Sequence, residues 1–178
     1  MLQITIPASE LWDGEQFHNY KEQTLQLEHS LVSLSKWESK WQKAFLSKTA
    51  KTDEEILDYI KCMTITQNVQ PETYLRLTMD NIKEINAYID SPMTATTFSD
   101  QKSGKSGREV VTSELIYYWM IALNIPFECQ KWHLNRLLTL VRVCEVKNSP
   151  PKKRSKKDIM SNNAALNAAR RKQFNSRG

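Results

Sequence analysis

The chain has 178 residues, 40% apolar residues and only four glycines, with a mean hydropathy of -0.57. That suits one domain plus an appendage, and it excludes a bilayer-spanning helix and argues against glycine-rich nucleotide loops. The net charge of +5 conceals an asymmetry: residues 151–178 hold nine basic residues against the single acid Asp158, a net +8, which leaves -3 for residues 1–150. The three cysteines, Cys62, Cys129 and Cys144, are odd in number and widely spaced. They suit reduced thiols in a cytoplasm better than a disulfide framework. The first residues show neither the cationic nor the long apolar segment of a secretory signal.

Residues 2–6 alternate apolar and polar and stop at Pro7, which predicts a short edge strand. Residues 24–28 alternate again, so the two can pair antiparallel across a connection at 12–20. From Ser30 the period changes. Leu31, Leu34, Trp37, Trp41 and Phe45 recur every three or four residues, predicting a helix over 31–46 capped by Ser30. Thr52-Asp53-Glu54-Glu55 is a capping-box pattern, and its helix carries Ile56, Tyr59, Ile60 and Met63 on one face. Pro71 opens a short helical turn. Asp80 then caps a helix with Ile82, Ile85 and Ile89 inward. Residues 94–98 and 108–112 are short and partly β-branched, and predict a second hairpin around the polar loop 99–107.

Residues 113–146 are the most apolar part of the chain and read as two helices joined at Asn124-Ile125-Pro126. The first is capped by Thr112 or Ser113 and turns Leu115, Tyr118, Trp119 and Ala122 inward. Pro126 starts the second, which carries Leu134, Leu137, Leu138, Val141 and Cys144 on one side. Ser149-Pro150-Pro151 ends it. The predicted fold class is mainly α (α+β): a helical bundle over residues 1–148 with one or two small antiparallel β-hairpins, and a flexible or conditionally helical basic tail over 149–178. Residues 159–174 are helix-prone through their alanines, but their apolar face is thin.

Catalytic patterns are missing. Gly104-Lys105-Ser106 resembles the end of a P-loop, but Ser99 stands where its first glycine belongs. Cys129 and His133 lie four apart, without a CxxC or a second His/Cys pair to complete a metal site. Glu54, Glu55 and Asp58 read as solvated helix-face acids. The expectation is a protein that is not an enzyme, with no cofactor, metal, small-molecule substrate or membrane partner. The Trp37/Trp41 pair reads as core. The candidate partner-binding residues are the tail cations Lys152, Lys153, Arg154, Lys156, Lys157, Arg170, Arg171, Lys172 and Arg177. They could neutralise nucleic-acid phosphates, serve as a nuclear-localisation-type run, or dock an acidic protein. In the tail only Phe174 could stack on a base, which weighs against sequence-specific RNA reading.

A resemblance adds to this. Residues 117–128 (YYWMIALNIPFE), 131–140 (KWHLNRLLTL), 28–31 (EHSL) with 36–38 (KWE), and the ending 165–172 (ALNAARRK) are similar to small proteins encoded among the structural genes of tailed bacteriophages. Of these, tail assembly chaperones are the nearest functional type. The resemblance implies a helical, non-enzymatic protein that keeps the tape-measure protein soluble while tail-tube subunits polymerise around it. It implies the cytoplasm of an infected bacterium, or the virion, as location. It transfers no functional residues. The alternatives are a virion structural component, such as a tail-completion or connector protein, and a sequence-nonspecific nucleic-acid-binding accessory protein. In either case the tail is the expected working surface and the 113–146 pair its anchor.

Overall fold

In the computed structural model of the protein, the residues described are 1–12, 14–98, 110–149 and 156–174. The alternation at the start of the chain forms β1 (Leu2–Ile6), which pairs antiparallel with β4 (Gln23–Leu27) in the register Leu2↔Leu27 to Ile6↔Gln23. Ile4, Ile6, Leu25 and Leu27 all point to the buried side. The connection between them is itself ordered: β2 (Ser9–Trp12) and β3 (Phe17–Tyr20) form a second antiparallel pair that closes with Trp12 opposite Phe17. The hairpin expected from residues 94–98 and 108–112 is not the second sheet. Residues 94–98 and 110–112 are irregular, and the loop 99–107 lies outside the described residues.

Three helices open on reciprocal caps, each satisfying two otherwise orphaned N–H groups. Ser30 and Ser33 cap α1 (Leu31–Trp41), Thr52 and Glu55 cap α2 (Asp53–Met63), and Thr78 and Asn81 cap α4 (Met79–Asp90). The α4 cap is thus two residues earlier than the predicted Asp80. The reason is that the Thr78 hydroxyl reaches the Asn81 N–H and the Asn81 amide reaches back. The Asn81 side chain also donates to the Thr5 carbonyl at 3.1 Å, fixing α4 to β1. The first helix is shorter than predicted because Gln42 turns left-handed (φ 52°) and stops it. Pro71 starts α3 (Pro71–Leu75) as expected.

The apolar pair begins with α5 (Ser113–Ala122), capped by Thr112. Pro126 does not start the second long helix. It precedes a 3-10 turn, Phe127–Lys131, and α6 (Leu134–Asn148) starts only after His133. Cys129 and His133 are therefore not on one helix face.

Two apolar clusters result. The first gathers β1, β4, α2, α3 and α4 around Ile4, Leu25, Tyr59, Met63 and Ile85. The second gathers the start of α1 with α5, the 3-10 turn and α6 around Leu31, Leu34, Ile116, Met120, Leu134 and Leu137. Helix α1 serves both, since its Trp37 belongs to the first. Each such side chain contributes about 1.5–3 kcal/mol when fully buried.

The chain divides into two units, Met1–Val146 and Lys147–Gly178. Both clusters lie in the first. The second contains α7 (Lys156–Phe174). The fold is mainly α with two small antiparallel two-stranded sheets. Among the described residues no helix is long and apolar enough to cross a membrane.

Candidate functional site

The predicted tail cations are only partly placed. Lys152, Lys153, Arg154 and Arg177 lie outside the described residues, as does the Gly104-Lys105-Ser106 motif. Lys156 and Lys157 open α7, while Arg170, Arg171 and Lys172 lie near its end, where cations complement the helix dipole. Residues 160–174 are exposed throughout, including Met160, Leu166 and Phe174. One turn apart, Arg170 and Phe174 share a face of this helix.

A second surface was not expected from the sequence. The inward face of α5 is Ser113, Ile116 and Met120; of the predicted Leu115, Tyr118, Trp119 and Ala122, Trp119 packs partly buried against the second cluster, while Tyr118 and Ala122 are exposed. Tyr118 is 62% exposed, Ile121 61%, and Phe127 just beyond them 54%. Tyr117, whose hydroxyl donates to Gln130 at 2.9 Å, supports Phe127 with ring centroids 6.5 Å apart. The phase of α5 is set by Glu38 on α1. This buried carboxylate accepts from the Ser113 N–H at 2.7 Å and from the Phe45 N–H at 2.8 Å. Holding Ser113 against α1 turns Ile116 and Met120 onto Leu31 and Leu34. Tyr118 and Ile121 are left outward. A helix apolar on all sides is ordinarily buried on all sides; this one has no partner on its outer side among the described residues.

Two acids read as solvated are buried instead. Glu55 pairs with Lys43, and Asp58 pairs with Lys40 and accepts from the Trp41 indole N–H at 2.9 Å. Burial alone would raise the Asp58 carboxyl, but the Lys40 ammonium and Trp41 N–H outweigh it and hold it below its ordinary value. Lys43 and the Thr52 N–H do the same for Glu55. These pairs fasten α1 and the residues just after it to α2, together with the Trp37 indole donating to the Glu55 carbonyl at 2.8 Å.

Between the two clusters lies a buried histidine pair, His29 and His133, with ring centroids 5.1 Å apart and nearly edge to face. The Tyr59 hydroxyl donates to His29 Nδ1 at 2.5 Å. His133 Nε2–H donates to the Tyr88 carbonyl at 3.0 Å, and its Nδ1 accepts from the Asn135 N–H at 3.3 Å. This assignment of protons keeps both rings neutral. Burial, with the neighbouring His133, lowers His29 to about 4. Burial likewise lowers His133 and raises the Tyr59 and Tyr88 hydroxyls. Both nitrogens of His133 are thus engaged within the fold. Sequence reading had no signal for this pair, whose members are far apart in the chain.

The cysteines are free thiols, and burial pushes Cys62 and Cys129 upward. A nucleophilic cysteine needs the opposite shift. Cys62 borders a cleft of about 410 Å³ with Ser30, Lys36 and Lys131, where it stands as the neutral thiol. Neither Cys62 nor Cys129 is thus set up as an activated thiolate. Comparison with family models, curated proteins and solved structures found no match for this chain.

Proposed function

We propose that this protein is a non-enzymatic assembly factor of tailed bacteriophages, a tail assembly chaperone that binds the tape-measure protein in the infected cell. The observation that carries the binding role is the outward face of α5, where Tyr118 and Ile121 stand exposed on a helix fixed from behind by Glu38, with Phe127 exposed in the 3-10 turn just beyond it. Exposed apolar patches of this kind mark protein-binding sites. A long helical client can lay an apolar stripe along such a face, helix against helix. The likeness of this stretch to phage tail proteins supports the choice of client. The basic segment adds a second, reversible contact, and two weak contacts on one chain hold an extended client far better than either alone.

The test is a pull-down of tail-module proteins by the intact chain, by Ile121→Glu, and by a form ending at residue 148. Capture of the tape measure that falls in Ile121→Glu is expected. No capture by the intact protein would sink the idea, and stoichiometric recovery of the chain in purified particles would replace it with a virion structural role. The +8 charge of residues 151–178 favours one other reading, an accessory protein on nucleic acid. Mobility shift of duplex DNA over a salt series decides it, because a log–log slope near zero excludes phosphate neutralisation.

A further inference from the structure

The small second sheet carries a surface that the tape-measure reading does not use. Strand residues alternate sides. Glu10 and Trp12 of β2 therefore share one side with Phe17 and Asn19 of β3, and all four are exposed. Trp12 is 56% and Phe17 67% exposed, and their rings lie 4.8 Å apart as a direct cross-strand pair. The other side is half-buried and pinned. Beneath it the Arg76 guanidinium lies 4.9 Å from the Tyr20 ring centroid and donates to Ser9 Oγ, the Pro7 carbonyl and the Lys21 carbonyl. The aromatic pair is thus held outward on a braced support.

Its chemistry selects a cationic occupant. Residues 9–20 contain the acids Glu10, Asp13 and Glu15 and no lysine or arginine. Aromatic faces attract ammonium and guanidinium groups, and a carboxylate on the same side of the sheet adds a charge-assisted hydrogen bond. The chain itself supplies a segment of matching chemistry. Residues 151–178 carry +8, and on α7 Arg170 stands one turn from the exposed Phe174. We propose that the outward face of the β2–β3 hairpin, centred on Trp12 and Phe17, is a docking site for the basic C-terminal segment of a second copy of this chain.

Such a contact joins two different surfaces. One such contact leaves each copy with one unused half, through which the pair can close reciprocally or grow head to tail. The hairpin face is small compared with the roughly 800 Å² per partner of a stable interface. The association is therefore weak and screened by salt. The proposal stands independently of whether the tape measure is the client.

Sedimentation equilibrium of the full chain tests it. The weight-average mass rises with concentration at about 50 mM salt, and the association weakens about tenfold or more at about 300 mM. Trp12→Ala/Phe17→Ala loses it by at least about tenfold, as does Glu10→Lys in part, with helix content unchanged because all three side chains are exposed. Arg170→Glu/Arg171→Glu/Lys172→Glu loses it equally. Mixing the hairpin variant with the tail variant restores one productive contact and yields a 1:1 dimer that grows no further. A wild-type chain monomeric at every concentration overturns the proposal. So does association that survives the hairpin variant, or association lost in Ile121→Glu but kept in Trp12→Ala/Phe17→Ala, or a mixture that fails to dimerise.

Discussion

Acidification from about pH 7.5 to about pH 5 should loosen the body of this protein, and the buried histidine pair sets the size of the effect. His29 has a folded value of about 4 against 6.5 for the free side chain. The folded value is depressed, so the unfolded chain binds a proton that the folded chain refuses. The stability is complete above 6.5 and is lost as pH falls towards 4. Integrating that difference gives a loss of about 2 kcal/mol at about pH 5 and about 3 kcal/mol at about pH 4. His133 is lowered too and adds in the same direction. The depressed carboxyls of Asp58 and Glu55 act with the same sign, but only once pH falls into the ordinary carboxylate range, so the window above about pH 5 isolates the imidazoles. Urea unfolding at several pH values measures it. With a slope of about 2 kcal/mol/M, the midpoint falls by about 1 M between about pH 7.5 and pH 5. His29→Gln should be less stable at neutral pH yet show a shallower pH dependence. A midpoint that does not move, or a His29 ring resonance titrating near 6.5, would refute the reasoning.

The outward and inward sides of α5 separate stability from binding at adjacent positions. Met120→Ala should cost about 2–5 kcal/mol in urea unfolding, because Met120 is fully buried. Ile121→Glu should change stability by no more than about 0.5 kcal/mol while reducing client capture. Glu38→Gln keeps shape but presents an amide NH₂ to one of two buried N–H donors, Phe45 or Ser113; a loss of about 1–3 kcal/mol is expected, and no loss would show that the carboxylate is not what fixes α5. Arg76→Ala removes the brace beneath the second sheet, and amide exchange in β2 and β3 should accelerate while β1 and β4 stay protected.

The elements that could be read from the sequence are those whose signal is local. The alternation of Leu2–Ile6 and Gln23–Leu27, the caps at Ser30 and Thr52, and the proline at the start of α3 each act within a few residues, and each is found where expected. The β2–β3 pair had a local signal that went unread. Asp13-Gly14 is a turn dipeptide, and Gly14 takes a positive φ of 105°, but Ser9–Trp12 and Phe17–Tyr20 do not alternate apolar and polar, so the strands on either side carry no period. The orientation of α5 had none. From Leu115 to Ala122 every residue is apolar or aromatic, so periodicity carries no phase. The choice of Ile116 and Met120 as the inner face is made by Glu38, on another helix. The buried acids fail for a similar reason: Glu55 and Asp58 look like ordinary helix-face carboxylates until Lys40 arrives from α1 and Lys43 from the segment just after it. Of the candidate surfaces, the basic segment was legible because charge is compositional. The α5 face and the Trp12/Phe17 pair were not, because exposure is a tertiary property.

The histidine seam also has a consequence for the order of events in folding. Besides the ring contact, the Leu134 N–H donates to the His29 carbonyl at 2.7 Å, and a lone bridge pairs Ser30 with His133. These bonds span about a hundred residues of chain, and contacts of such separation carry the largest closure entropy. They belong among the last to form. Protonating the pair should then speed unfolding and leave the folding rate nearly untouched, the kinetic mark of contacts absent from the transition state.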